Sequence, residues 1–380
     1  MRLTHPFSRL LSTVLIISTL ISFSEIIAQG TANVDEPRLF PVQRNGKWGF
    51  IDSTGSLVIA LKYDGAQDFR EGLAPARMGR QWGYIDRTGE LVIPPKYSLA
   101  VPFSDSLALV KMGPEDMSRF IDHTGREVVT AAVVQAWSYS EGILPVQMDV
   151  LGAGLKWGYF DKSGQLVIPA RFDQAHPFSC GLALVKEGDV FSFIDKSGKV
   201  AIKARFETAY PFKDGLALVQ VKGKWGCIDM NGGFVIRPQY DRLDMFSEDR
   251  AAARIGRKCC YLGRGGQTVL ELGDRPEITY CSSFQEGLAL VRTADGWGFI
   301  DATGAQVIPA KYAEARSFSA GLAAVRVGDR WGFIDRNGKM VIEPRFPEPL
   351  TFEGGLAQER YLDRIGYIDK SGKYVWELTR

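Results

Sequence analysis

Trp331-Gly332-Phe333-Ile334-Asp335-Arg336-Asn337-Gly338-Lys339-Met340-Val341-Ile342 is the stretch whose reading decides the fold. It returns as Trp297-Gly298-Phe299-Ile300-Asp301-Ala302-Thr303-Gly304, as Trp48-Gly49-Phe50-Ile51-Asp52-Ser53-Thr54-Gly55, and in weaker copies. With the Asp before the turn as marker, the copies fall at Asp52, Asp86, Asp122, Asp161, Asp195, Asp229, Gly263, Asp301, Asp335 and Asp369. The steps are 34, 36, 39, 34, 34, 34, 38, 34 and 34 residues. A fixed period of this size marks an array of supersecondary units, none of which can bury its apolar face alone.

Each unit reads as a three-stranded β-meander. Gly321-Leu322-Ala323-Ala324-Val325 is apolar without helical spacing and predicts a first strand. In the second, Trp331, Phe333 and Asp335 point one way and Gly332 and Ile334 the other. Asp-x-(Ser/Thr/Asn)-Gly then predicts a tight turn: Asp accepts turn N–H groups and Gly takes a positive φ without steric cost. A third strand such as Lys339 to Ile342 is expected to end at a proline (Pro94, Pro169, Pro309), which cannot donate to a ladder. A linking piece, Lys311-Tyr312-x-x-Ala315-x-x-Phe318, leads to the next unit. The recurring Trp supplies bulk for an inter-unit core, and the Gly beside it admits a neighbouring backbone. The rival reading, a row of sugar-stacking indoles, requires exposed rings.

Ahead of the array, Arg2 and Arg9 precede the apolar run Leu10 to Phe23. That run is too short for a membrane span and suits a signal-peptide core, with small residues around Ala28 to Ala32 as cleavage candidates. The expected division is a signal peptide over 1–30, a short linker over 31–37 and ten repeats over 38–380. Export to a periplasmic or extracellular space follows, with no transmembrane span in the mature chain.

Two units depart from the pattern. Unit three carries Ser118-Arg119-Phe120 in place of Trp-Gly-Phe, and an extra loop around Met148 to Gly154 follows it. Unit seven carries Cys259-Cys260-Tyr261, with Gly263 at the marker. Through Lys47-Trp48-Gly49, Lys156-Trp157-Gly158 and Lys224-Trp225-Gly226, with Trp82-Gly83, Trp297-Gly298 and Trp331-Gly332, the chain resembles the WG-repeat (KWG-repeat) family of mostly bacterial exported proteins. The resemblance implies a repeat scaffold and no shared chemistry, so it brings no catalytic residues with it.

The formal charge of +2 gives no global pull toward nucleic acid or membrane, and 45% apolar residues is ordinary for a globular chain. Five cysteines, Cys180, Cys227, Cys259, Cys260 and Cys281, show no paired Cys-x-x-Cys spacing. Cys227 and Cys281 occupy core slots and read as buried thiols. The vicinal Cys259-Cys260 pair reads as a decayed repeat with room for a local disulfide. His123 at a turn tip and His176 in a linking loop read as solvated. No phosphate-cradling glycine motif, zinc helix or nucleophile elbow occurs. A non-enzyme without cofactor or metal is the expectation.

Charge placement says more than the total. Cations follow the marker at Arg87, Lys162, Lys196, Arg264, Arg336 and Lys370, and acids lie two after the linking Phe at Glu71, Asp105, Asp214, Glu248 and Glu286. These should interleave at one edge. The candidate binding edge is the opposite one, with Lys47, Lys156, Lys224 and Arg330 before the Trp slot and Lys62, Lys96, Arg171, Arg205, Lys311 and Arg345 before the linking Tyr or Phe. Two readings stand there: a solvated rim neutralised by Asp64, Asp173 and Glu207, or a basic edge for an anionic envelope or extracellular partner. The expected fold is all-β, propeller-like or superhelical, with an open β-solenoid as the alternative. The expected function is an exported, non-enzymatic binding scaffold for a protein or ligand. A carbohydrate- or cell-wall-binding module, and a hydrolase or redox protein built on units three and seven, are the alternatives.

Overall fold

The computed structural model describes residues 37–113, 116–203, 206–272, 278–362 and 364–378. The expected signal peptide, and the linker up to residue 36, lie outside the described residues. The array is all-β. Ten small antiparallel sheets, here called blades, follow one another in chain order.

Blade 9 shows the pattern: strands Glu314–Ala315, Ala323–Val327, Arg330–Ile334 and Met340–Phe346 pair in that order. The linking piece is therefore more than a connection. Its Glu314–Ala315 pairs with Arg326 and Val325, which makes a short fourth strand. Blade 1, formed by Phe40–Arg44, Lys47–Ile51 and Leu57–Tyr63, is the one three-stranded sheet among the described residues. The expected three-stranded unit is corrected to four in the other nine.

The third strand also differs from expectation. It does not stop at its proline but runs through it, as Leu91–Tyr97 runs through Pro94 and Pro95. Trp331 pairs with Phe346 and Phe333 with Ile342, so two steps on the tryptophan strand span four on its neighbour. That bulge lifts the proline out of the ladder, where no N–H is needed. It also presses backbone over the glycine. A Cβ on Gly332 would stand 2.5 Å from the Ile342 carbonyl oxygen, and one on Gly226 2.5 Å from that of Ile236. Where the glycine slot holds Ser192 or Cys260, that residue pairs directly with its neighbour (Lys203, Glu271) and no bulge falls there. Arg119 of blade 3 keeps the bulge, and nothing in the structure explains how.

Alternation along the tryptophan strand builds the seams. Trp331 and Phe333 join a core with Phe352, Ala357 and Ile368 of blade 10, while Ile334 faces back into a core with Phe299 and Ile308 of blade 8. The recurring tryptophans are core residues, as expected: Trp157 and Trp331 are buried, and Trp48, Trp82, Trp225 and Trp297 half-buried.

Such clusters number ten, one per seam. An open row of ten blades has nine seams. The tenth cluster joins Phe40, Val42 and Ile51 of blade 1 to Leu356, Ile365, Tyr367 and Trp376 of blade 10. Tyr367 Oη donates to the Pro41 carbonyl at 3.0 Å, Trp376 Nε1 donates to that of Gln43, and Arg38 pairs with Glu353. The array is a closed, propeller-like ring. The superhelical and open-solenoid alternatives fall.

Candidate functional site

Because the blades repeat, all Asp turns lie on one rim of the ring and all hairpins between the first long strand and the tryptophan strand lie on the other. The two rims differ chemically.

On the Asp-turn rim, a recurring set of polar groups holds the turns and the blades together. Asp52 Oδ1 accepts from Thr54 N, Thr54 Oγ1 and Ser56 N, and the same pattern recurs at Asp86, Asp122, Asp161, Asp195, Asp301 and Asp369. The Thr or Ser hydroxyl is the main reason that most of these carboxylates titrate below 3.8. The acids ahead of the first long strand sit at positive φ and reach into the next blade. Glu141 accepts from Gly181 N, Glu248 from Gly287 N and Glu286 from Gly321 N. The cation after the next marker joins them: Lys162 to Asp105 at 2.7 Å, Lys196 to Glu141 at 3.3 Å and Arg264 to Asp214 at 3.7 Å. The expected interleaving is therefore present, as a ladder between blades. Glu141 belongs to it and escaped the sequence reading because Tyr139 stands there for the linking Phe. Such half-exposed pairs add about 0–1 kcal/mol each.

The candidate cations do not form one edge. Lys47, Lys156 and Lys224 sit on the hairpin rim, each bound to the acid after the linking aromatic: Asp64 at 2.7 Å, Asp173 at 2.5 Å and Asp241 at 2.5 Å. The same acids accept from Gly79 N, Gly188 N and Gly256 N, which orders the next blade's hairpin. The ammonium group is the first cause holding these three acids below 3.8. Arg330 lies 3.9 Å from Asp329. The second group points toward the other rim. Lys62 and Arg171 donate to the carbonyls of Gly89 and Gly198 in the next blade's Asp turn, as Arg345 does to Gly372. Lys96 and Lys311 lie over the rings of Tyr97 and Tyr312. Arg205 lies outside the described residues.

A third set of cations was missed. Across the hairpin, the Trp slot faces Gln43, Arg77, Gln147, Lys186, Gln220, Arg254, Arg292, Arg326 and Arg360, with Lys111 in that place in blade 3. Seven positions are cationic, three are Gln and none is acidic. Arg77 and Arg292 lie over the indoles of Trp82 and Trp297, at 5.6 and 5.5 Å. Of the seven, Arg326 has an ion pair among the described residues, with Glu314 at 2.7 Å. Six of the seven lie five residues before the Trp slot, so that offset was a signal the sequence offered; the longer hairpins of blades 3 and 4 displace only Lys111 and Gln147 from it. Next to it stand exposed apolar residues: Met78, Ile255, Val327 and Tyr361.

Eight segments match the family described as WG containing repeat: residues 48–80, 82–113, 119–149, 157–190, 191–225, 225–259, 297–331 and 331–358. The chain belongs to the WG containing repeat family. No curated protein matches the sequence. Among solved structures, one described as a crystal structure of the eukaryotic initiation factor is 10% identical, at TM-score 0.49, over 82% of this chain and 96% of that one. Another, KlHsv2 with loop 6CD replaced by a Gly-Ser linker, is 10% identical at TM-score 0.32, over 61% of this chain and 89% of that one.

The WG-repeat frame explains the cysteines. Neighbouring strand residues face opposite seams, so Cys259 and Cys260 cannot reach each other. Cys259, in the Trp slot of blade 7 (Arg242–Leu243, Arg250–Ile255, Lys258–Gly263, Thr268–Glu271), instead bonds Cys281 of blade 8, with Cα atoms 6.3 Å apart. The expected local pair and the expected buried Cys281 thiol are thus corrected: the disulfide replaces the Trp–Ala contact of an ordinary WG seam. Cys227 is a buried thiol, pushed up to about 11 by burial. Cys180 is exposed, in the slot that other blades give to an acid.

Both histidines are better held than solvated residues. His123 stacks on Phe103 with centroids 4.3 Å apart and meets Glu71 at 3.1 Å. His176 stacks on Trp137, and burial lowers its pKa below 6.5. Among the described residues, no three His, Cys, Asp or Glu side chains converge as a metal site, and no helix is long and apolar enough to cross a membrane. Pockets at the seams between blades 6 and 7 and blades 7 and 8 have room for about one water each.

Proposed function

We propose that this WG-repeat ring is a non-enzymatic binding scaffold of an exported compartment, and that its hairpin rim takes an anionic partner. The difference between the rims carries this reading. On the Asp-turn rim the turn carboxylates are engaged within their own turns, and Lys162, Lys196 and Arg264 pair with acids of the preceding blade. On the hairpin rim, a ring of cations with no acid in its own slot stands beside exposed apolar tips. Lys47, Lys156 and Lys224 are paired directly with acids, so the binding charge is assigned to Lys111, Lys186, Arg254 and Arg292. Of these, Lys186 and Arg254 lie near enough to Asp173 and Asp241 to act on them without an ion pair. Export is supported by the apolar run Leu10 to Phe23 and by the Cys259–Cys281 bond, since such bonds persist in oxidising compartments. The sugar-stacking alternative loses its premise, because none of the six indoles is exposed.

The test is capture from envelope and culture extracts at low salt, followed by a salt wash. With a Debye length of about 8 Å at physiological salt, binding by screened attraction should elute as salt rises. Gln at Lys111, Lys186, Arg254 and Arg292 should weaken capture, while Gln at Lys162 and Lys196 should leave it intact. Equal behaviour of the two sets would remove the rim from the function.

A further inference from the structure

Resting on that reading, we infer that the partner is an anionic lipid bilayer, on which the hairpin rim lies flat with the tip of blade 4 inserted. The hairpin of strands Ile143–Val150 and Gly154–Asp161 extends beyond the ordinary last pair by two further pairs, Asp149 with Leu155 and Val150 with Gly154. At about 3.3 Å per residue it projects roughly 7 Å past its neighbours, within the 5–10 Å depth that apolar side chains reach in the headgroup–acyl boundary. Leu151 at its tip is fully exposed, and Leu155 half-exposed. Val190, Ile255, Val327 and Tyr361 are exposed on the same rim in blades 5, 7, 9 and 10.

An aqueous polysaccharide or an acidic peptide gives aliphatic tips nothing to enter, and either is narrow enough to engage only some of the hairpins. A bilayer is flat, apolar below its surface and, with anionic lipid, negative at it. It is complementary to the tips and to the cations behind them, with Asp149, Asp189, Asp295 and Asp329 the acids that these hairpins also carry.

The experiment is vesicle co-sedimentation with the exported, processed protein, its N-terminus checked by mass so that the apolar leader is absent. Vesicles of phosphatidylglycerol and phosphatidylcholine, three to seven, should bind it, and pure phosphatidylcholine should not. Raising salt to 0.5 M should weaken binding at least tenfold, because close charge pairs are then largely screened. Leu151→Asp with Leu155→Asp should also cost at least tenfold, because a leucine's transfer out of water is lost. That pair of residues lies beyond the last seam contact, so thermal melting should not change. Leu57→Asp, at a third-strand leucine as exposed as Leu155, should leave binding intact. Binding that ignores the tip pair, or that Leu57→Asp weakens equally, would overturn the inference. If vesicles are not bound but a polysaccharide or protein is captured in a salt-sensitive way, the lipid assignment fails and the scaffold reading stands. If nothing is captured, both fail.

Discussion

Replacing Gly332 by Ala puts the link between the repeat motif and the ring at risk. Gly332 has an ordinary strand backbone, because its φ lies outside the left-handed region. On conformational grounds alone, Ala should be better there, by about 0.4–1 kcal/mol. Packing at the seam demands the opposite sign. The added Cβ would stand 2.5 Å from the Ile342 oxygen and 2.8 Å from the Pro344 nitrogen, both backbone atoms that cannot rotate away. Relief requires flattening the bulge, which carries Phe346, 1% exposed, out of register with Trp331. Overpacking costs about 1–3 kcal/mol in cores, and a clash with backbone belongs at the upper end, near 3 kcal/mol.

Urea unfolding followed by tryptophan fluorescence measures it. With a slope of about 3 kcal/mol per molar, the midpoint should fall by about 1 M. The parallel substitution at Gly226, where the same contact is 2.5 Å, should behave alike. A neutral or stabilised variant at both positions would refute the account of the glycine, and with it the reason the motif is Trp-Gly.

The blade 7–8 disulfide closes a loop of separation 22, so replacing Cys259 and Cys281 by Ala should destabilise the ring by roughly 3 kcal/mol. A reductant should lower the melting temperature of the parent and leave that variant unchanged. In the Asp turns, the folded carboxylates titrate below their ordinary 3.8, so their contribution is present above that value and is lost as pH falls through the lowered values. Thr54→Ala, Thr88→Ala and Thr303→Ala combined should therefore shift acid unfolding, followed by circular dichroism, to higher pH. His176 works in a higher window. Its folded pKa lies below the unfolded 6.5, so stability should decline as pH drops beneath 6.5, and His176→Phe should remove that slope.

Much of the ring was readable because its determinants are local. The Trp-to-marker distance, the Asp-x-Thr-Gly turn and the alternation of Phe333 with Ile334 depend on a few adjacent residues, and the structure realises each. What escaped depends on residues distant in sequence. The short fourth strand pairs Glu314 with Arg326, and its two residues carry no pattern of their own. The bulge is a relation between strands, so the proline looked like a terminator. Closure rests on Phe40 meeting Tyr367 across the whole chain. Cys259 with Cys281 required knowing which seam each strand face enters. The cations opposite the Trp slot, by contrast, stood in plain view, five residues before it in six blades, and were passed over for the residue next to the Trp.

Hairpin length also bears on which rim binds. From the Trp slot to the marker slot the chain always takes four residues, even in units three and seven, because each Asp turn must close on the blade before it. Gly266, for example, rests on the Val235 carbonyl, and Gly55 on that of Val375 across the closing seam. An insertion there would break a contact between blades. The hairpin rim carries no such restriction beyond the residue facing the Trp. The steps of 36 and 39 exceed the common 34 by two and five residues, and the hairpins of blades 3 and 4 are longer by those same amounts. The register of Gln147 with Trp157 survives the longer insertion intact. Length change is thus tolerated where the ring's stability does not depend on it, and in repeat arrays insertions confined to one face commonly mark the face that binds. The rim with the cations opposite the Trp slot, the exposed tips and the two lengthened hairpins is one and the same, and the three properties arise from separate residues.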